Sequence, residues 1–224
     1  MVTIRYRMVV RKTSQRPLTP DVWARAALVA IAKGGVAAVA VESVAAELGA
    51  TKGSFYWHFK NRDALVEAAL EKWEQRRTES VIEDLEREPS PAGRLRMLFE
   101  AVLEGGPTDR VEVALLANPE HPAGLRAVRR VAERRIRYIA DQLETLGWDS
   151  QSALDRAVLL YYVYVGHLLM AQVTPQVIGG GRQHRQIELV FDALVARGPL
   201  KKPAHGRQAQ GSPQSVRQRS RRPR

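Results

Sequence analysis

The residues best suited to chemistry in this sequence stand close together, in the stretch VESVAAELGATKGSFYWHFKNRDALV from Val41 to Val66. Lys52 and Lys60 carry positive charge, and Tyr56 and His58 each carry a donor that fits a phosphate oxygen. Lys52 and Ser54 are flexible or short enough to reach base edges in a major groove. Gly53, between them, has no side chain to hold a groove wall away. Thr51 is placed to cap the helix that bears them, and the free N–H groups at such an end suit a phosphate. The chemistry implied is recognition of a nucleic-acid duplex, with phosphates fixing position and base edges supplying the sequence.

Other chemistries find little support. No HExxH, GxGxxG, Walker-type or GxSxG motif occurs. The histidines, at 58, 121, 167, 184 and 205, lack metal-ligand spacing, and there is no cysteine to form a disulfide or a thiolate site. No catalytic residue, metal site or cofactor is expected, and the reading is against an enzyme. The lack of cysteine is compatible with a cytoplasmic location.

Caps and apolar spacing predict the helices that must position these residues. A first helix starts at LTPDVW, with Thr19 at the cap, Pro20 at the first turn, Asp21 at the positive end, and Leu18 and Trp23 as a hydrophobic staple. Gly34 and Gly35 end it. A short helix spans about 41–48, with Val44, Ala45 and Leu48 on its inner face. Gly49 relieves a turn where a positive φ is expected. Thr51 caps a second short helix through about His58, and Phe55 and Phe59 are expected in the core. Two short helices joined this way make a helix-turn-helix. Asn61 caps a helix from Arg62 that can reach Glu88, stopped by Pro89 and Pro91. Further helices read at about 91–104, 109–117, 122–147, 151–173 and 183–197. No alternating strand pattern of useful length occurs, so the expected fold is all-α, with nine helices.

The joint spacing of Gly49, Thr51, Gly53, Tyr56, His58, Phe59 and Arg62 resembles the DNA-binding domain of TetR-family regulators. Recognition helices in that family typically end in a Tyr-x-His-Phe run, here Tyr56-Trp57-His58-Phe59, and the next helix opens here with Asn61-Arg62. The resemblance covers residues 18 to 66. It implies that Tyr56, His58 and Arg62 contact phosphates and that Val41, Glu42, Lys52, Gly53 and Ser54 face bases, with Thr51, Trp57 and Lys60 in the same surface. Two positions depart from the family pattern. Ala40 stands where the second helix usually has a Thr or Ser cap, and Glu42 stands where a basic residue is frequent. Glu42 can accept from a cytosine amino group but repels phosphates.

The resemblance further implies a carboxy-terminal domain that binds a small-molecule effector and forms a homodimer. The dimer would read a palindromic operator in double-stranded DNA whose half-sites lie about 34–36 Å apart or more. Effector and DNA would then oppose each other, with repression the commoner mode. The dimer is expected to use the helices near 151–173 and 183–197. The first is apolar nearly all round from Ala157, and the second presents Ile187, Val190, Phe191, Leu194 and Val195 on one face. Candidate pocket residues are Trp73, Phe99, Leu103, Leu116, Tyr138, Tyr161, Tyr164 and His167, large groups on inward faces, and few acids or amides accompany them, which favours an apolar effector. In the helix at 122–147, Leu125, Val128, Ala132, Ile136, Ile139, Leu143 and Leu146 form an apolar stripe. Arg129, Arg130, Arg134, Arg135 and Arg137 are expected on a solvated face.

Charge divides the chain. Residues 1–17 carry +5 and residues 198–224 carry +8 with no acid in either, while the 180 residues between carry −2. The expected organisation is a basic flexible arm (1–17), a helix-turn-helix domain (18–65), an effector-binding and dimerisation domain (66–197) and a disordered basic tail (198–224). The two tails also fit a general nucleic-acid packaging protein. The longest apolar stretch, Leu159 to Val173, falls short of the roughly 20 residues of a membrane span, so no membrane partner is expected.

Overall fold

A computed structural model describes residues 18–103, 109–178 and 182–195; the predicted arm and tail lie outside these described residues. Helix α1 (Pro20–Gly34) begins at Thr19, whose backbone carbonyl accepts from the N–H groups of Val22 and Trp23 while its hydroxyl makes no capping bond. It ends on Gly35 at φ +68, a left-handed backbone that favours glycine, where the Gly35 N–H bonds the Ile31 carbonyl. A single 3₁₀ turn, Val36–Ala38, leads into α2 (Val41–Glu47). Gly49, at φ +62, then turns the chain toward α3 (Lys52–Tyr56). Thr51 Oγ1 caps α3 by accepting from the Ser54 N–H at 3.1 Å, and Asn61 Oδ1 caps α4 (Arg62–Glu74) by accepting from the Ala64 N–H at 2.9 Å.

Helix α4 does not run unbroken to Glu88. It passes through a π-helical turn, Gln75–Glu79, into α5 (Ser80–Leu85). Beyond lie α6 (Pro91–Leu103), α7 (Asp109–Leu116), α8 (Pro122–Thr145), α9 (Ser150–Val173), the single turn α10 (Pro175–Ile178) and α11 (Arg182–Leu194). The fold is all-α, with eleven α-helices and no strand among the described residues. The two helices beyond the nine predicted arise because the π turn divides one and because α10 is too short to show a period.

Two cores result. The first gathers Trp23, Ala27 and Ile31 of α1, Val41 and Val44 of α2, Phe55 and Phe59, and Leu65, Val66, Leu70 and Trp73 of α4. It also takes in Val111 and Leu115 of α7 and Ala127, Val128 and Val131 of α8, so it continues past residue 65 into the later helices. Removing one of its large aromatics would cost about 3–5 kcal/mol. The second core packs Leu95 and Phe99 of α6, Ile139 and Leu143 of α8, Ala157 and Leu160 of α9, and Ile187, Phe191 and Val195 at α11.

Helix α8 joins the two cores, and its charged face is only partly solvated. Arg126, Arg130 and Arg134 follow one another at every fourth residue and pair with Glu67 and Glu74 of α4 and Glu79 of the π turn. Arg135 overturns the expectation of a solvated face: its side chain is 13% exposed and lies inside the molecule. The apolar stripe is likewise displaced at its start, where Leu125 is exposed.

Candidate nucleic-acid interface and buried cavity

The surface around α3 is built on aromatic anchors. Phe55 and Phe59 stack at 5.7 Å between ring centroids, and Phe55 meets Trp23 edge-on at 5.6 Å. Both phenylalanines are buried, so the residues between them must face out. Thr51, Lys52, Gly53, Tyr56 and Lys60 are exposed, Ser54 and His58 are half-buried, and Trp57 is 88% exposed. The structure therefore leaves these eight predicted residues at least partly open to solvent.

Three others are placed differently. Val41 is buried in the first core, because the face that carries Val44 and Ala45 inward carries Val41 with it. Glu42 is exposed, but its carboxylate accepts from Lys52 Nζ at 2.6 Å. That bond lowers the Glu42 pKa and raises the Lys52 pKa, so both stay charged and paired across the turn. Arg62 turns inward: its Nε donates to the Val39 carbonyl and one terminal nitrogen to the Val36 carbonyl, each at 2.6 Å. It staples α4 to the 3₁₀ turn before α2, a partnership across more than 20 residues that sequence reading missed.

A cavity of about 80 Å³ lies between the π turn, α5, α6, α8 and α9. Among the candidate pocket residues, Phe99, Tyr138, Tyr161 and Tyr164 line it. Trp73 and Leu116 do not, because both pack in the first core, and His167 stands elsewhere on α9. Burial lowers the His167 pKa. The Leu103 side chain lies outside the described residues.

The polar end of the cavity was not foreseen. Glu112 of α7 is 1% exposed. It accepts from Arg135 Nη1 at 3.0 and 2.8 Å, from the Tyr161 hydroxyl at 3.1 Å and from the Tyr164 hydroxyl at 2.7 Å. Arg135 also donates Nε to Thr78 Oγ1 at 3.2 Å and Nη2 to the Arg77 carbonyl at 3.1 Å. Burial opposes the Arg135 charge, yet the Glu112 carboxylate holds the guanidinium above its ordinary pKa. Burial and then Glu112 push the Tyr161 phenol up, and burial does the same for Tyr164. One signal for Arg135 was present: it lies at helical spacing on the buried line Gly124, Val128, Val131, Tyr138, Gln142. No group of metal-ligating side chains comes together among the described residues.

Comparison with known proteins places this architecture. Residues 25–69 match the bacterial regulatory proteins of the tetR family. No curated protein sequence matches the chain. Among solved structures, a TetR transcriptional regulator from Legionella pneumophila is similar at TM-score 0.66 and 19% identity, over 81% of this chain and 99% of that one. A transcriptional regulator from Saccharomonospora viridis, in complex with choline, is similar at TM-score 0.68 and 16% identity, over 80% and 98%. The FadR regulator from Bacillus subtilis, in complex with stearoyl-CoA, is similar at TM-score 0.60 and 14% identity, over 79% and 97%.

Proposed function

Because its amino-terminal domain is that of the TetR-family regulators, we propose that this chain is a sequence-specific DNA-binding transcriptional repressor, released from a palindromic operator by a small-molecule effector. The observation that carries the reading is the α3 surface, where Lys52, Gly53, Tyr56 and Trp57 stand exposed over buried Phe55 and Phe59. Among the described residues nothing demands glycine at position 53: an added Cβ would meet only Thr51 Oγ1, at 3.7 Å. Its bare backbone suits close approach to a groove wall. Tyr56, Trp57, His58 and Lys60 supply phosphate contacts, and Lys52 and Ser54 face bases. Duplex DNA would compete with Glu42 for Lys52, while Arg62 acts by holding α4 against the turn.

The effector reading is supported by the cavity and by two structures of the same fold, one bound to choline and one to stearoyl-CoA. In this reading residues 18–65 bind DNA and 66–197 bind the effector and dimerise. The dimer reading is supported by α9 and α11. Helix α9 has 24 residues and is apolar enough by length and composition to cross a membrane, a longer element than the Leu159–Val173 stretch suggested. Only 22% of its most apolar window is buried within one chain. Tyr162 (66% exposed) and Val173 (72%) on α9, with Leu189 (66%) on α11, leave an apolar face that a second copy would cover. A membrane fits less well, because the helix carries Asp155, Arg156, His167 and Gln172 and packs along α8.

Selection of bound duplexes from a random DNA pool at near-physiological salt tests the function. A palindrome with half-sites about one turn or more apart is expected. Retention governed by salt alone, with no consensus, would replace the regulator with a packaging protein.

A further inference from the structure

Two opposite charges meet on the exposed side of the helix-turn-helix. Glu42 stands in the first turn of α2, and Lys52 is the first residue of α3. Lys52 Nζ donates to Glu42 Oε1 at 2.6 Å, joining the two helix starts across the turn. The Lys52 side chain is 56% exposed and the Glu42 side chain 66%, so both are open to a partner while paired. An exposed pair of this kind adds little to stability. Its weight falls instead on what Lys52 is able to bind. To hold a phosphate, Lys52 must either abandon Glu42 or bring the carboxylate up beside a second anion, and both arrangements are unfavourable.

A base edge poses no such conflict. The first residues of a recognition helix meet base edges in the major groove. There a G·C pair offers three groups in a row, the guanine acceptors N7 and O6 and then the cytosine N4 donor. O6 and N4 are hydrogen-bonded to each other at about 2.9 Å, close to the 2.6 Å that separates Lys52 Nζ from Glu42 Oε1. The lysine ammonium has three N–H groups. One serves Glu42, and the others match O6 and N7. The second carboxylate oxygen of Glu42 matches the N4 amino group, and the ion pair stays closed. A T·A pair offers a similar centre, O4 and N6, but flanks it with the thymine methyl and adenine N7. The methyl gives Lys52 no second acceptor, and N7 turns a lone pair toward the carboxylate.

We propose that Lys52 and Glu42 read one G·C base pair in each operator half-site as a single unit, Lys52 on the guanine and Glu42 on the cytosine. The proposal rests on the reading of this chain as a sequence-specific DNA-binding regulator. In it, Glu42 is the specificity-determining residue, because it withholds Lys52 from phosphates and completes the match to the base pair.

Selection from a random duplex pool with the full chain, and with its Glu42→Ala, Lys52→Ala and doubly substituted variants, tests it. The unsubstituted chain is expected to select one G·C pair per half-site that both residues govern, about tenfold over T·A at that position. Each single variant should relax that same position and no other, and the double variant should relax it no further. Glu42→Ala should also bind a duplex lacking the site more tightly, with a steeper salt dependence, because Lys52 is released to phosphates. A consensus unchanged by Glu42→Ala, single variants that relax different positions, or a shared position that is not G·C would overturn the proposal and leave the regulator reading standing. An unsubstituted chain that selects no consensus would overturn both.

Discussion

The α3 surface and the cavity floor are both polar, yet they are held in opposite ways. Around α3 the polar groups face solvent, and the caps that position them are local, Thr51 to Ser54 and Asn61 to Ala64, with Arg62 the long-range exception. At the cavity floor the charges are buried, and the bonds span 23 to 58 residues, joining α7, α8, α9 and the π turn. Apart from Lys52, paired with Glu42, and Arg62, the first arrangement leaves its side chains facing a partner outside the chain. The second uses its donors on the chain itself, so its polar residues hold helices together before they do anything else.

That contrast predicts how each region responds to substitution. The largest effect is expected at the floor. Arg135→Ala strands a buried carboxylate and should lower unfolding free energy by about 3–5 kcal/mol in urea titration. Replacing both Arg135 and Glu112 with leucine should recover most of that loss, since a buried pair is worth little beyond an apolar substitute of similar volume. A double variant as unstable as the single one would mean that the tyrosines and Thr78, rather than the pair, carry the floor. A smaller effect is expected at Thr51. Thr51→Ala removes the α3 cap and should cost about 1 kcal/mol, with weaker duplex binding because the helix end frays. The smallest effect on stability belongs to Trp57. Trp57→Ala should change unfolding by less than about 0.5 kcal/mol. It should still weaken duplex binding by about tenfold if the indole N–H reaches a phosphate. Duplex affinity unchanged in Trp57→Ala would break the comparison, because it would leave the exposed ring with no external partner.

The same contrast explains what could be read from the sequence. The turn glycines, the Thr51 and Asn61 caps and the burial of Phe55 and Phe59 depend on neighbours within a few residues, so spacing was sufficient. Thr19 shows the limit even there: it holds the cap position while its hydroxyl makes no bond. The resemblance points Val41 outward, whereas the helical period puts it on the inward face of Val44, and the period holds. The resemblance gives Arg62 to a phosphate and the helical pattern gives Arg135 to solvent, and only distant carbonyls turn the first toward the chain and a distant carboxylate brings the second inside. Trp73 and Phe99 looked equivalent as large inward groups. Which core each joins is decided by helix crossing, which a single period does not encode.

The π turn at Gln75–Glu79 sets a phase. Relative to a continuous α-helix, one added residue rotates everything downstream by about 100° around the axis. Here that offset lies between the last residues of the first core on α4 and the residues Val81, Ile82 and Leu85 that face the cavity. The helix thus works as a keyed shaft: one end faces the first core and the other, at a different azimuth, faces the cavity. The key is held by Arg135, whose guanidinium takes the Arg77 carbonyl and the Thr78 hydroxyl within the turn. A turn of the shaft at one end would be felt at the other as a change of angle, with little need for the helix to slide or bend.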